Sequence, residues 1–162
     1  FCSNCGNKNQ LGAKDGNTRY YCSQCGTIHY ENPKPTATLI CVHEKQLLLV
    51  KRAAEPGKGM WGLPGGFIER GETPGAGAER ELLEETNLQG KVKNLLGTCS
   101  HFNTIFGDIL LVGMELQIED WSTLRAGDDA AEASLFPLEK FPNLAFPCHR
   151  KIVNMYLEQI KL

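Results

Sequence analysis

Two groups of residues in this 162-residue sequence have the types and spacing to do chemistry. The first is a cysteine quartet. Cys2-Ser3-Asn4-Cys5-Gly6 and Cys22-Ser23-Gln24-Cys25-Gly26 are two Cys-x-x-Cys-Gly turns, with sixteen residues between Cys5 and Cys22. Two thiolates two residues apart can grip one ion from a single tight turn, and the glycine after each pair lets the backbone approach the sulfurs. Two such turns facing each other give the closed tetrahedral shell that zinc accepts, and the spacing falls in the range read as a zinc site. One reading is that Zn²⁺ replaces a hydrophobic core in a segment too small to have one. The other is a nucleic-acid-binding ribbon, for which only Lys8, Lys14 and Arg19 lie between the knuckles. Tyr20, Tyr21 and Tyr30 are expected to pack the ribbon.

The second group is acidic. At about 100° per residue, Glu85 lies about 40° to one side of Glu81 and Glu84 about 60° to the other, so three carboxylates share one arc of a helix. Glu79 points to the opposite side, and Leu82 and Leu83 are expected to face the core. Arg80, four residues before Glu84, can hold that carboxylate in place. Like charges four residues apart cost about 0.2–0.5 kcal/mol per pair. Carboxylates in the last turns also oppose the helix dipole, at about 0.3–1 kcal/mol each. A helix that breaks both rules is either a solvated acidic face or a cation site. The preceding Pro64-Gly65-Gly66 can turn a backbone carbonyl toward the same cation, and an oxygen-only ligand set suits Mg²⁺ or Mn²⁺.

These residues need elements to position them. Thr36–His43 and Gln46–Arg52 read as two strands of a hairpin turning at Glu44-Lys45. Ala53–Gly59 is a loop and Met60–Leu63 a short strand. Pro74–Thr86 is the acidic helix, with Thr73 as N-cap, Pro74 at the first position and Asn87 ending it. Lys91–Phe102 and Asp108–Ile118 form a second strand pair. Thr123–Ala133 is a polar loop and Ala133–Leu138 a final strand. His149–Ile160 has helical periodicity, with Ile152, Val153, Tyr156, Leu157 and Ile160 on one stripe. Strands with two separated helices indicate a mixed, layered α/β domain. The organisation expected is a ribbon at 1–30, a stiff Pro-containing linker at 31–35 and the mixed α/β domain at 36–162.

The run from Gly66 to Leu88 resembles the Nudix hydrolase signature, G-x5-E-x7-R-E-U-x-E-E-x-G-U with U aliphatic. Gly66, Glu72, Arg80, Glu81, Leu82, Glu84, Glu85 and Leu88 match. Asn87 stands where the pattern has Gly, and Asn is the next residue to tolerate a left-handed helix end. Met60-Trp61-Gly62-Leu63-Pro64-Gly65-Gly66-Phe67 is similar to the family's lead-in. With the cysteine quartet, the chain resembles the Nudix subgroup carrying an N-terminal zinc ribbon, which includes ADP-ribose, FAD and NADH pyrophosphatases. The resemblance implies an α/β/α sandwich with a mixed sheet.

It also implies divalent-metal-assisted hydrolysis of a nucleoside diphosphate linked to another moiety. Glu81 and Glu85 would then be the principal ligands of Mg²⁺ or Mn²⁺, and Glu84 a further one held by Arg80. The Gly65 carbonyl would complete the shell, Gly66 would support it, and Glu72 would brace the loop before the helix. A further acid comes from outside the motif, and Glu132, ahead of the last strand, is expected as metal ligand or general base. Its alternative is a solvated loop carboxylate beside Asp128 and Asp129, and Glu115 is a rival candidate. Arg52, beside Lys51 at a strand end, could meet phosphate oxygens. Trp61, Phe102 and Phe106 could stack on a base, though core or rim packing is the alternative for each. His101, unsupported by a partner, is a weak catalytic candidate. NADH pyrophosphatases carry a Ser-Gln-Pro-Trp-Pro-Phe-Pro-x-Ser array after the motif. This chain has Thr98-Cys99-Ser100-His101-Phe102-Asn103 instead, so ADP-ribose or FAD is favoured over NADH. A nucleotide-sensing module that no longer cleaves, and processing of nucleotide-capped RNA, are the competing readings.

Composition limits the partners. The net charge is −2, with 41% hydrophobic and 22% charged residues, so no basic field draws the protein to nucleic acid or anionic lipid. The longest apolar runs are four residues, against about 20 for a membrane span. No leader pattern is read at the start. The expected partner is therefore a dinucleotide or nucleotide sugar, with no nucleic acid and no membrane. A homodimer is compatible with a ribbon that docks on a partner surface. Seven cysteines, an odd number, argue for a reducing compartment such as the cytoplasm.

Overall fold

The computed structural model describes residues 1–127 and 129–161 and divides into two compact units, Phe1–Asn32 and Pro33–Leu162. The first has a three-stranded antiparallel sheet of β1 (Gln10–Lys14), β2 (Asn17–Tyr21) and β3 (Ile28–His29). Its only buried residues are Cys2 and Cys22, so no apolar core holds it together. The two cysteine turns repeat one hydrogen-bond pattern. Cys2 N donates to Asn7 O and Gly6 N to Cys2 O, while Cys22 N donates to Thr27 O and Gly26 N to Cys22 O. Gly6 and Gly26, at φ 75° and 73°, take the left-handed conformation that closes each turn. Of the three tyrosines, Tyr21 packs, half-buried, between Gly12 and the Lys14 ammonium, whereas Tyr20 and Tyr30 are less buried than a packing role requires. Tyr20 is 47% and Tyr30 57% exposed, and Tyr30 lies under the Arg19 guanidinium with its hydroxyl donating to Asp15.

The second unit contains β4 (Lys34–His43), β5 (Gln46–Arg52), β6 (Trp61–Gly62), α1 (Pro74–Thr86), β7 (Gly90–Thr104), β8 (Gly107–Ile118), β9 (Ala130–Pro137) and α2 (Pro147–Ile160). The sheet order is β6-β5-β4-β8-β7, with β9 also paired to β5. β4 runs parallel to β8 and antiparallel to β5, which makes the sheet mixed. Residues 37–41 of β4 are buried on both faces, as a central strand requires. Alternation along the strands divides the core. Ala37, Leu39, Cys41 and Leu48 pack with Ala78 and Leu82 of α1, whereas Ile40, Leu47 and Leu49 pack with Ile152, Val153 and Tyr156 of α2. One helix on each side of a mixed sheet is the α/β/α sandwich that the motif implied.

Several boundaries shift from the sequence reading. β4 begins at Lys34, because Lys34 and Pro35 extend the parallel ladder opposite Ile109 and Leu110. β9 begins at Ala130, because the ladder with β5 continues past Lys51 to Arg52. α2 begins at Pro147, where proline supplies a helical φ and gives up no needed donor. The hairpin at Glu44-Lys45 holds: both residues have positive φ, 47° and 63°, as a two-residue type I′ turn demands. α1 ends as expected, with Thr73 Oγ1 accepting from Ala76 N and Asn87 at φ 57°. Leu83 does not face the core and is 44% exposed. Asn87, in the pattern's Gly position, is held by the following loop: its Nδ2 donates to Thr123 O, and its own carbonyl accepts from Thr123 Oγ1.

Candidate active site

The acidic face of α1 closes one side of a cavity of about 390 Å³. Its walls come from β4, the ends of β5 and β7, the Pro64–Phe67 loop and the first turn of α2. That loop is zipped along β4, with Ala37 N donating to Gly66 O and Leu39 N to Pro64 O. Gly65 faces the other way. Its N–H donates to Glu85 Oε2 at 2.8 Å, and its carbonyl makes no hydrogen bond among the described residues. A Cβ on Gly66 would lie 2.6 Å from the Glu81 carboxylate, so the chain must be glycine there for Glu81 to reach the loop.

Arg80 organises the carboxylates. Its Nε and Nη2 donate to Glu72 at 2.7 and 3.0 Å, its Nη1 to Glu81 and Glu84 at 2.8 Å each, and its Nη2 also to Phe67 O. One planar fork thus spans three acids and the loop, which a point-charge ammonium could not do. Arg80 and the Glu69 N–H hold Glu72 down at about 2. Burial dominates for the two carboxylates that face inward. It raises Glu81, and it raises Glu85 to about 7; the charges of Glu81 and Asp129 push Glu85 the same way, while the Gly65 N–H bond and Arg52 oppose them. Glu85 is therefore a negative group short of positive charge.

Arg80→Ala is expected to cost about 1–3 kcal/mol at pH 7, since the clamp is only partly shielded from water. Glu72 is depressed in the folded state, so its contribution is present above the ordinary carboxylate range and disappears as pH falls toward 2. The stability gap between Arg80→Ala and wild type, from denaturant melts, should accordingly narrow below about pH 4.5.

Of the residues singled out in the sequence, Glu81, Glu84, Glu85, Gly65, Gly66, Arg52, Phe106 and His101 line the cavity. Glu132, Trp61 and Phe102 do not. Glu132 sits within β9 opposite Lys51 and pairs with its ammonium at 3.5 Å. Trp61 packs edge-on against Phe136, at the margin of the α2-side core. Phe102 follows His101 on edge strand β7, so strand alternation sends it outward, 62% exposed. Glu115 is bound by Lys93 and Asn94, away from the cavity. Asp128 lies outside the described residues.

Asp129, Phe67, Phe146 and His149 also line the cavity, though nothing in the sequence assigns them a role there. Asp129 is delivered by the loop that caps α1. Arg125 N donates to Thr86 O and Gly127 N to Glu85 O, which anchors the loop to the very turn that carries Glu84 and Glu85. No periodicity marks such a loop. His149 carried a faint signal, a histidine in the first turn of a helix whose apolar stripe lies elsewhere.

The NUDIX domain family matches residues 33–156, and the Nudix N-terminal family, a zinc ribbon, matches residues 1–31. The chain belongs to the Nudix family. It is an enzyme, a hydrolase of phosphoanhydride bonds. Among relatives, the ADP-ribose pyrophosphatase of Methanocaldococcus jannaschii is 40% identical over 136 residues, covering 79% of this chain and 75% of that protein. Diphosphoinositol polyphosphate phosphohydrolase 2 of Rattus norvegicus is 30% identical over 144 residues, covering 86% and 78%. A crystal structure of a Nudix hydrolase from Nitrosomonas europaea superposes with a TM-score of 0.84 at 33% identity, covering 98% of this chain and 90% of that one.

Proposed function

We propose that this enzyme hydrolyses the diphosphate of ADP-ribose, using a divalent cation held by the α1 carboxylates. The observation that carries the substrate class is the charge of the cavity. Glu55, Glu69, Glu81, Glu84, Glu85 and Asp129 line it, and Arg52 is the one Lys or Arg side chain among its described lining residues. A polyphosphorylated inositol needs several cationic side chains to balance it. A dinucleotide-like substrate has only two phosphates, which one cation site and one arginine can balance. The 40% identity to a protein named as an ADP-ribose pyrophosphatase supports the same choice. A cavity of about 390 Å³ lies near the lower end of ligand pockets, which favours ADP-ribose over the bulkier FAD.

The cation reading rests on Glu85. Glu85, partly enclosed, pushed up to about 7 and in no ion pair among the described residues, stands beside the raised Glu81, which Arg80 holds through one oxygen, and beside an unused Gly65 carbonyl; together they are hard oxygen donors with more negative charge than Arg80 balances. That chemistry fits Mg²⁺ or Mn²⁺, with Glu81, Glu84, Glu85 and the Gly65 carbonyl as its holders. When bound, such an ion offsets the diphosphate's charge and lowers the pKa of water for attack on phosphorus. The rest falls to this chain's side chains. Arg80 fixes Glu81 and Glu84 by its fork, and Glu72 anchors that fork. Arg52, whose Nε is tied to Pro56 O at 2.6 Å, turns its remaining N–H groups to phosphate oxygens. Asp129, which reaches the cavity where Glu132 does not, is the acid from outside the motif.

In the N-terminal unit the four sulfurs lie within 4.8 Å of one another, with pairs at 3.6 and 3.5 Å. Zn–S bonds of about 2.3 Å in a tetrahedron put sulfurs about 3.8 Å apart, so Cys2, Cys5, Cys22 and Cys25 fit a structural Zn²⁺. Cys41, Cys99 and Cys148 are buried and unpaired, which suits a reducing compartment such as the cytoplasm. No helix among the described residues is long and apolar enough to cross a membrane.

The test is a panel of ADP-ribose, FAD, NADH and a diphosphoinositol polyphosphate with Mg²⁺, products identified by chromatography. AMP and ribose 5-phosphate should appear from ADP-ribose at the highest kcat/KM of the four. A higher kcat/KM on any other member would overturn the substrate, and turnover undiminished by EDTA would overturn the cation.

A further inference from the structure

One wall of the cavity, opposite in character to the acidic face, is aromatic and takes no part in holding the cation. His101, Phe146 and His149 line it, with Phe146 at 5.7 Å from the His101 ring and 5.3 Å from the His149 ring. The His149 ring is fixed on three sides. Leu63 N donates to its Nδ1 at 3.0 Å. Gly62 presents bare backbone to it, where a Cβ would lie 3.4 Å from the ring. Phe146 meets it edge to face. Because Nδ1 accepts a backbone proton, the ring hydrogen of the neutral imidazole must sit on Nε2. Nε2 makes no hydrogen bond among the described residues, and the residue lines the cavity. The result is a positioned, unspent donor in the cavity wall.

We propose that His149 is a specificity-determining residue whose Nε2–H donates to a neutral acceptor atom of the nucleotide substrate, a ring nitrogen of the base or a hydroxyl of a ribose. The assignment rests on the substrate reading above. Burial, with Arg52 and His101 nearby, pushes the imidazole down to about 4, so it offers a dipole at working pH. A dipole that costs little to desolvate matches an uncharged acceptor, whereas the phosphates are served by the charged Arg52. His101 is not equivalent, since its Nδ1 already faces the Cys148 thiol at 3.6 Å. The guanidinium of Arg52 lies 5.1 Å from the Phe146 ring and its charge also acts on Glu85, so Arg52 stands where the acidic face, which takes the reacting diphosphate, meets the aromatic wall, which takes what is attached to it.

The test uses His149→Asn, because the Asn amide oxygen can take the place of Nδ1 and keep the Leu63 bond while the Nε2 donor is lost. Binding of AMP and of ribose 5-phosphate is measured by titration calorimetry with Mg²⁺, so the result does not depend on turnover. His149→Asn should bind one of the two about tenfold more weakly at an unchanged melting temperature. Weakened AMP assigns the acceptor to the adenosine side, and weakened ribose 5-phosphate assigns it to the terminal ribose. Equal binding by wild type and variant overturns the His149 assignment alone. Wild-type protein that binds neither ligand overturns the nucleotide reading beneath it. A second measurement needs no variant: in the imidazole ¹⁵N spectrum the Nε2–H signal should move when the bound ligand is added, and an unmoved signal also overturns the assignment.

Discussion

Glu85→Gln is expected to lower kcat about 1,000-fold on ADP-ribose while making the metal-free protein more stable at pH 8. Both effects come from one carboxylate. In the folded chain its pKa is about 7, raised from the ordinary 4.5 chiefly by burial. An acid whose pKa rises on folding opposes folding once it must ionise, so the penalty grows from pH 4.5 and is complete above about 7. At 1.36 kcal/mol per pH unit the full penalty reaches about 3 kcal/mol, less whatever water reaches the cavity recovers. Glutamine carries no charge to desolvate, and its amide oxygen can still accept from Gly65 N. The variant should therefore equal wild type near pH 4.5 and exceed it in denaturant midpoint at pH 8. Added Mg²⁺ should reverse the order, stabilising wild type by repaying the buried charge and leaving Glu85→Gln nearly unchanged. Wild-type turnover in Glu85→Gln would remove the proposed role, and a variant less stable than wild type at pH 8 would show that Glu85 is already balanced without a cation.

The same carboxylate shows what a linear sequence can and cannot disclose. The spacing of Glu81, Glu84 and Glu85 on a 3.6-residue period placed them together on one side of α1, and the structure turns that side to the cavity, because helix geometry is local. Thr73, Pro74 and Asn87 set the ends of α1 for the same reason. Glu132 was misplaced because its position depends on how far a ladder runs. β9 extends past Lys51, so Glu132 meets a strand neighbour instead of the cavity. Phe102 failed by one residue, since alternation on an edge strand separates it from His101. Asp129 gives no signal and His149 only a faint one, because each arrives by a contact distant in sequence: one through a loop hydrogen-bonded to the end of α1, the other through the amide of Leu63, 86 residues away. Chemistry carried by one element could be read, and chemistry assembled between elements could not.

Gly65 and Gly66 both serve the site, but a Cβ strikes the fold at the first and only the site at the second. Gly65 has φ +133°, and a Cβ there would fall 2.1 Å from the Ala37 carbonyl oxygen and 3.1 Å from Thr38 Cα. Those atoms belong to the central strand β4 and cannot move without breaking its ladder. Gly65→Ala should cost more than about 4 kcal/mol, enough to abolish the folded Nudix unit, read as loss of the cooperative melt in circular dichroism. Gly66→Ala meets a different obstacle. All of its close contacts, at 2.6 Å, are with the Glu81 carboxylate, the free end of a flexible side chain. That carboxylate can swing aside by rotating one or two bonds, which costs stability little. It then leaves the position Arg80 holds it in, and a displacement of about 1 Å in such a group costs on the order of 100-fold in rate. The expected result is a protein that melts like wild type and turns over about 100-fold more slowly, with a weakened Mg²⁺ requirement curve. If Gly66→Ala kept full activity, Glu81 would not be holding the cation where the geometry puts it, and Glu84 and Glu85 would have to serve without it.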